Sequence, residues 1–224
     1  MTTKTKALIL ALCAVLLVVS TAFVTVAFLT SEDTVTNTFT VGMVQITLDE
    51  AKVNTDGTYL TDVNNRTRNN AYHLLPNHKY IKDPVIHVDK DSEDCWLFVK
   101  IVNGLEPIIA GASTVSDTDS ADTVYNIDGQ LIKNGWTCID ETNGIWCYER
   151  TASALEDIHV FDTFTIKADA DVAEYATQLD TEGKVAGGKY IEVTAYAVQA
   201  DGFNVAGKTA TQNATDAWNA TFGN

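Results

Sequence analysis

Four histidines, four cysteines and 30 acidic side chains are the groups with which this 224-residue chain could do chemistry. A zinc hydrolase needs two histidines four apart on one helical face, with a glutamate between them as base. No HExxH occurs. His73 and His78 are five apart with Pro76 between them, and His87 and His159 stand alone. The G-x-S-x-G elbow of a serine hydrolase is also absent. Cys95 opens an apolar strand pattern, where a buried, inert thiol is expected, because reactive thiols need exposure and positive neighbours. No catalytic residue, cofactor site or transition-metal site is therefore assigned.

The acids form short clusters. Asp117, Asp119 and Asp122 lie within six residues, and Asp89-Lys90-Asp91 and Asp169-Ala170-Asp171 are similar. Each resembles half of a calcium loop but lacks the glycine and terminal glutamate of an EF-hand in register. They read as solvated acidic loops, with calcium in the Asp117–Asp122 loop as the alternative. Cys138 and Cys147 flank Glu141-Thr142-Asn143-Gly144. With those four residues as a hairpin loop, 140 faces 145, 139 faces 146 and Cys138 faces Cys147, within disulfide reach. Such a bridge would stabilise by roughly 2–3 kcal/mol in the chain-entropy model. Cys95 would remain free.

These residues need elements to hold them. Residues 7–29 are almost wholly apolar behind Lys4 and Lys6, the pattern of a secretory signal peptide. Thr25-Val26-Ala27 places the cut between Ala27 and Phe28; Ser20-Thr21-Ala22 is a second small-x-small site, and an uncut membrane anchor is the alternative. Residues 1–27 hold two lysines and no acid, so the remaining 197 carry 13 basic against 30 acidic residues, a formal charge of −17. That surface repels phosphate backbones and anionic lipid, which argues against nucleic-acid binding. Residues 28–224 are expected to form one domain.

Short alternating segments separated by Gly, Asn and Asp predict an all-β sandwich. Val41–Leu48 aligns Val44, Ile46 and Leu48. Cys95–Val102 aligns Cys95, Leu97, Val99 and Ile101, and Pro84–Val88 turns His87 away from Ile86 and Val88. Phe161–Lys167 and Lys189–Ala200 are further strands. Asn54–Asn70 and Ser113–Asn126 read as surface loops. Two short peripheral helices are expected, over Asp171–Leu179 and over Thr215–Phe222, the latter capped by Thr215 and stopped by Gly223.

Several strings, in order, resemble the TasA/camelysin family of exported bacterial proteins. They are Ala27-Phe28-Leu29-Thr30-Ser31-Glu32-Asp33, Thr36-Asn37-Thr38-Phe39-Thr40-Val41-Gly42, and Leu75-Pro76-Asn77-His78-Lys79-Tyr80-Ile81-Lys82-Asp83-Pro84 (Asn77 standing where glycine is usual). Ser92–Lys100, Val193–Ala200 and Asp216-Ala217-Trp218 extend the likeness. The resemblance implies a jelly-roll-like sandwich, cleavage by a dedicated signal peptidase of the SipW type, and secretion to the cell surface or extracellular matrix. It further implies homopolymeric biofilm fibres, with an accessory anchor or matrix protein as a possible partner. In such fibres the N-terminal segment of one subunit completes the sheet of the next. Here that segment is residues 28–39, with Phe28, Leu29, Val35 and Phe39 as its apolar contacts. Two other readings follow: a camelysin-like metallopeptidase, for which no residues carry over, and a monomeric adhesin using Trp136, Trp146 and Tyr148.

Overall fold

The computed structural model describes residues 3–6, 43–60, 65–175, 178–179, 185–186 and 189–223. The chain divides into an N-terminal unit, Met1–Val41, and a second unit, Gly42–Asn224. Of the first, residues 3–6 are helical. The expected cut at Ala27 and Phe28, and Leu29, Val35 and Phe39 of the leading segment, lie outside the described residues. Among the described residues, no helix is long and apolar enough to cross a membrane.

The second unit is an all-β sandwich with few short helices. Its strands are β1 (Ile46–Ala51), β2 (Arg66–Thr67), β3 (Lys79–Ile81), β4 (Val85–Val88), β5 (Cys95–Asn103), β6 (Trp136–Asp140), β7 (Ile145–Tyr148), β8 (Asp157–His159), β9 (Thr163–Thr165), β10 (Gln178–Leu179), β11 (Val185–Ala186) and β12 (Ile191–Gln199). One four-stranded sheet has the order β2-β1-β4-β8 and the other β12-β5-β7-β6, and every pairing is antiparallel. β3 with β9 and β10 with β11 form two-stranded ribbons.

Alternation explains which sheet faces meet. Ile86 and Val88 of β4 and Ile158 of β8 pack against Cys95, Leu97, Val99 and Ile101 of β5, with Trp136 and Trp146 closing the same core. His87 points the other way, as the sequence predicts. β5 is also buried on its second face. Trp96 and Phe98 meet Cys147, Ala214 and Ala217, and Trp218 packs at their edge.

Ala214 and Ala217 belong to α2 (Ala210–Phe222). That helix begins five residues before the expected start. Thr209, not Thr215, is its cap: the Thr209 hydroxyl accepts from Gln212 N, and the Gln212 side chain accepts from Thr209 N. This reciprocal pair satisfies two orphan donors of the first turn. Thr215 instead donates to the Thr211 carbonyl inside the helix.

Other elements depart from expectation. A helix α1 (Ile127–Lys133) follows the acidic loop, capped by Asn126, which accepts from Gly129 N. Asp171–Leu179 is not one helix. Val172–Tyr175 is a 3-10 turn, and Gln178–Leu179 pairs with Val185–Ala186. The stretch Asn54–Asn70 contributes β2, which pairs with Glu50 and Ala51.

The cysteine bridge is corrected by the hairpin's register. Asp140 does face Ile145, but a bulge at Ile139 then sets Cys138 opposite Trp146 and Thr137 opposite Cys147. One extra residue flips the following side chains to the other face. Cys138 therefore turns toward the intersheet core and Cys147 toward α2, and both are free thiols, as is Cys95. Gly144, at φ +66°, fits the tight return; a Cβ there would lie 2.4 Å from the Ile101 carbonyl oxygen. Burial pushes the Cys95 and Cys147 thiols up to about 11. Titration of purified protein beginning at Phe28 is thus expected to find three thiols when denatured and slow reaction when native. One thiol in the denatured protein would restore the bridge.

Candidate functional site: a groove between two strand edges

The sequence-predicted sites are dispersed. Asp119 accepts from Ser116 N and the Tyr125 hydroxyl, while Asp117 and Asp122 are exposed on the same loop. Asp89 and Asp171 cap turns, accepting from Asp91 N and Ala173 N. No group of three or more His, Cys, Asp or Glu among the described residues could hold a metal ion. His78 bonds the Asp56 carbonyl and stacks edge-on against Tyr80, while His73 is exposed. Trp136 and Trp146 are buried, Trp136 donates to the His159 carbonyl, and Tyr148 packs on Trp136. They form hairpin core, not an exposed adhesive patch.

What the fold leaves open is a groove of about 1350 Å³. One wall is β1 from Ile46 to Glu50, and the other is the start of β12, from Ile191 to Ala195. Tyr72, Leu74, Leu105 and Phe164 also line it, and Arg68, Asn69 and Asn70 stand at one end. β1 pairs with β4 along Ile46–Asp49, while β2 covers its other edge only at Glu50 and Ala51. β12 pairs with β5 along its length and has no second partner strand among the described residues. Two unpaired edges therefore border one cleft.

The apolar side chains tell the same story. Leu97 and Val99 of β5 are 0% exposed, whereas Ile191, Val193 and Ala195 of β12 and Ile46 and Leu48 of β1 are only half-buried. The intersheet core is uncovered along the cleft.

The walls run in opposite directions. Ile46 faces Val88 at the end of β4, a short turn leads from there to Cys95, and Cys95 faces Gln199. The start of β1 thus shares an end of the sandwich with the finish of β12. The finish of β1 lies at the other end, beside Lys189 and Tyr190.

A charged network fixes the finish of β1. Arg66 bonds Asp49 at 2.7 Å and Asp83 at 3.0 Å, and buried Asp83 accepts from Ala51 N. Lys82 pairs with buried Glu50 at 2.7 Å, and Asn70 donates to both Glu50 and the Ala51 carbonyl. Nothing in the sequence points to these contacts, since Arg66 and Asn70 sit in a polar stretch far from β1 in the chain.

His87 joins three strands of this sheet on its outer face. Its Nε2 lies 3.0 Å from Asp49 and its Nδ1 2.6 Å from Asp157. Both ring nitrogens face carboxylates, so the imidazolium donates twice. Burial opposes the charge, but the bonds and charges of Asp49 and Asp157 outweigh it and hold the pKa above the ordinary 6.5. Asp49 is held below 3.8: burial opposes this, and His87 and Arg66 outweigh it. The His87 contribution is full below about pH 6.5 and fades as pH rises through its folded pKa. The Asp49 contribution is present above pH 3.8 and is lost on further acidification. Unfolding midpoints should fall from pH 6 to 8 in the native protein and be flatter in His87→Gln. The difference expected is on the order of 0.5–1 kcal/mol for so open a site. Parallel pH profiles would contradict the clamp.

Comparison with protein-family models, with curated proteins and with solved structures finds no match.

Proposed function

We propose that this protein is an exported structural subunit that polymerises by strand addition, the groove between β1 and β12 receiving residues 28–39 of a neighbouring copy. The observation that carries the reading is the pair of unpaired strand edges facing across a cleft with half-buried apolar walls. Free edges attract strands, and a groove whose core is uncovered gives an incoming side chain something to bury. The leading segment suits it. Val35, Phe39 and Val41 share one face of an extended strand, interrupted by Asn37, while Thr34, Thr36, Thr38 and Thr40 share the other.

Proline and glycine are absent from residues 28–41. Cleavage after Ala27 would free the segment's end only on export, keeping assembly outside the cell. Secretion to the surface or matrix follows from the same reading, as do the jelly-roll connectivity and homopolymeric state implied by the family resemblance. Electron microscopy of purified protein beginning at Phe28 is the test. Fibres that lengthen with protein concentration support the reading; monomers at every concentration overturn it.

A further inference from the structure

The groove is not symmetric, and its asymmetry bears on the direction from which a strand enters. At the end where β1 finishes, the cations Arg68, Lys82 and Lys189 line it together with the acids Asp49, Glu50 and Glu192. Lys82 is engaged by Glu50, and Lys189 lies over the Tyr175 ring at 5.3 Å. Arg68 is exposed and has no ion-pair partner among the described residues. On a chain with twice as many acids as bases, an unpaired arginine at the mouth of an apolar cleft is a conspicuous feature. The leading segment carries its only acids, Glu32 and Asp33, immediately before the apolar positions Val35 and Phe39.

We propose that Arg68 sets the direction of the inserted segment by pairing with Glu32 and Asp33 of the neighbouring copy. This inference rests on the strand-addition reading above. The segment would then run antiparallel to β1 and parallel to β12, its acidic end beside Arg68. At about 3.3 Å per residue, Val35 and Phe39 are roughly 13 Å apart. Ile46 and Glu50 are also four apart, about 13 Å, so the wall matches their spacing. Phe39 falls toward the end of β12, where the inward residues are the small Ala195 and Ala197. A large side chain meets small ones, the pairing that close packing favours. In the reverse direction Phe39 would lie beside Tyr72 and Phe164, and the two acids would meet no cation of the groove.

The test is charge reversal with rescue. Arg68→Glu and the double change Glu32→Lys with Asp33→Lys are compared singly and combined, each as protein beginning at Phe28. Assembly is followed by light scattering, with circular dichroism to confirm folding. Each reversal alone is expected to slow assembly roughly tenfold at low salt, because attraction becomes repulsion at the encounter. The combination should return to within about threefold of the native rate, with the same fibres in micrographs. Native fibres with an unaffected Arg68→Glu variant, or a combination no faster than either reversal, overturn the orientation while leaving strand addition standing. Failure of the native protein to form fibres overturns both.

Discussion

Protein lacking residues 28–39 is expected to remain a soluble, folded sandwich and to form no fibres. Folding survives because Gly42–Asn224 is a compact unit of its own, with both four-stranded sheets and their shared core inside it. β1 does not depend on the deleted segment for its position. β4 pairs with it along Ile46–Asp49, and Arg66, Asp83, Lys82 and Asn70 fix its far end. Polymerisation fails because the strand that would satisfy the next groove is gone. Acidic repulsion makes the loss complete. Without Glu32 and Asp33 the truncated subunit still carries −15, from 13 basic and 28 acidic residues, so association without specific pairing is opposed, and added salt screens that repulsion. Native protein should assemble faster in added salt or at mildly acidic pH, while the truncated protein should not. Fibres from the truncated chain at the native rate would exclude this segment as the donor.

Val193→Lys is the second change with a large expected effect. Val193 faces the intersheet core from β12 and is only half-buried, opposite Ile101 of β5. In the unassembled protein a lysine there extends its ammonium through the open groove to water, so stability falls by about 1 kcal/mol or less. An inserted strand closes that route and leaves the charge buried without a partner. Such burial costs several kcal/mol, so the assembly constant should fall by a factor on the order of 10²–10³. Thermal unfolding and sedimentation on one sample separate the two effects. A variant that unfolds normally and polymerises normally would place the binding surface elsewhere.

Much of the sandwich is legible as alternation. Val44, Ile46 and Leu48, the set Cys95, Leu97, Val99 and Ile101, and Ile86 with Val88 all face the core they were expected to build. Alternation fails where both faces are covered. Trp96 and Phe98 are as buried as their neighbours because α2 lies over them, and a strand buried twice shows no polar face.

The cysteine pairing failed for a different reason. Loop length gives a hairpin's register only if the ladder is regular, and the bulge at Ile139 leaves no mark in composition. The groove itself could not be read at all. It exists because β1 and β12, some 140 residues apart, finish their sheets on the same side, which is a property of topology. The proposed donor segment rests on the chain alone: its threonine stripe and apolar positions lie outside the described residues.

Strand addition makes its sharpest claim about two backbone edges, and amide hydrogen exchange reads them directly. A synthetic peptide of residues 28–41 is added to the chain beginning at Gly42, and exchange is compared with and without it. The expected result is slowed exchange confined to Ile46 and Leu48 of β1 and to Ile191, Val193 and Ala195 of β12, whose amides face the open edges and gain carbonyl partners. Unchanged exchange at both edges, with the peptide present at saturating concentration, would contradict the groove as the acceptor.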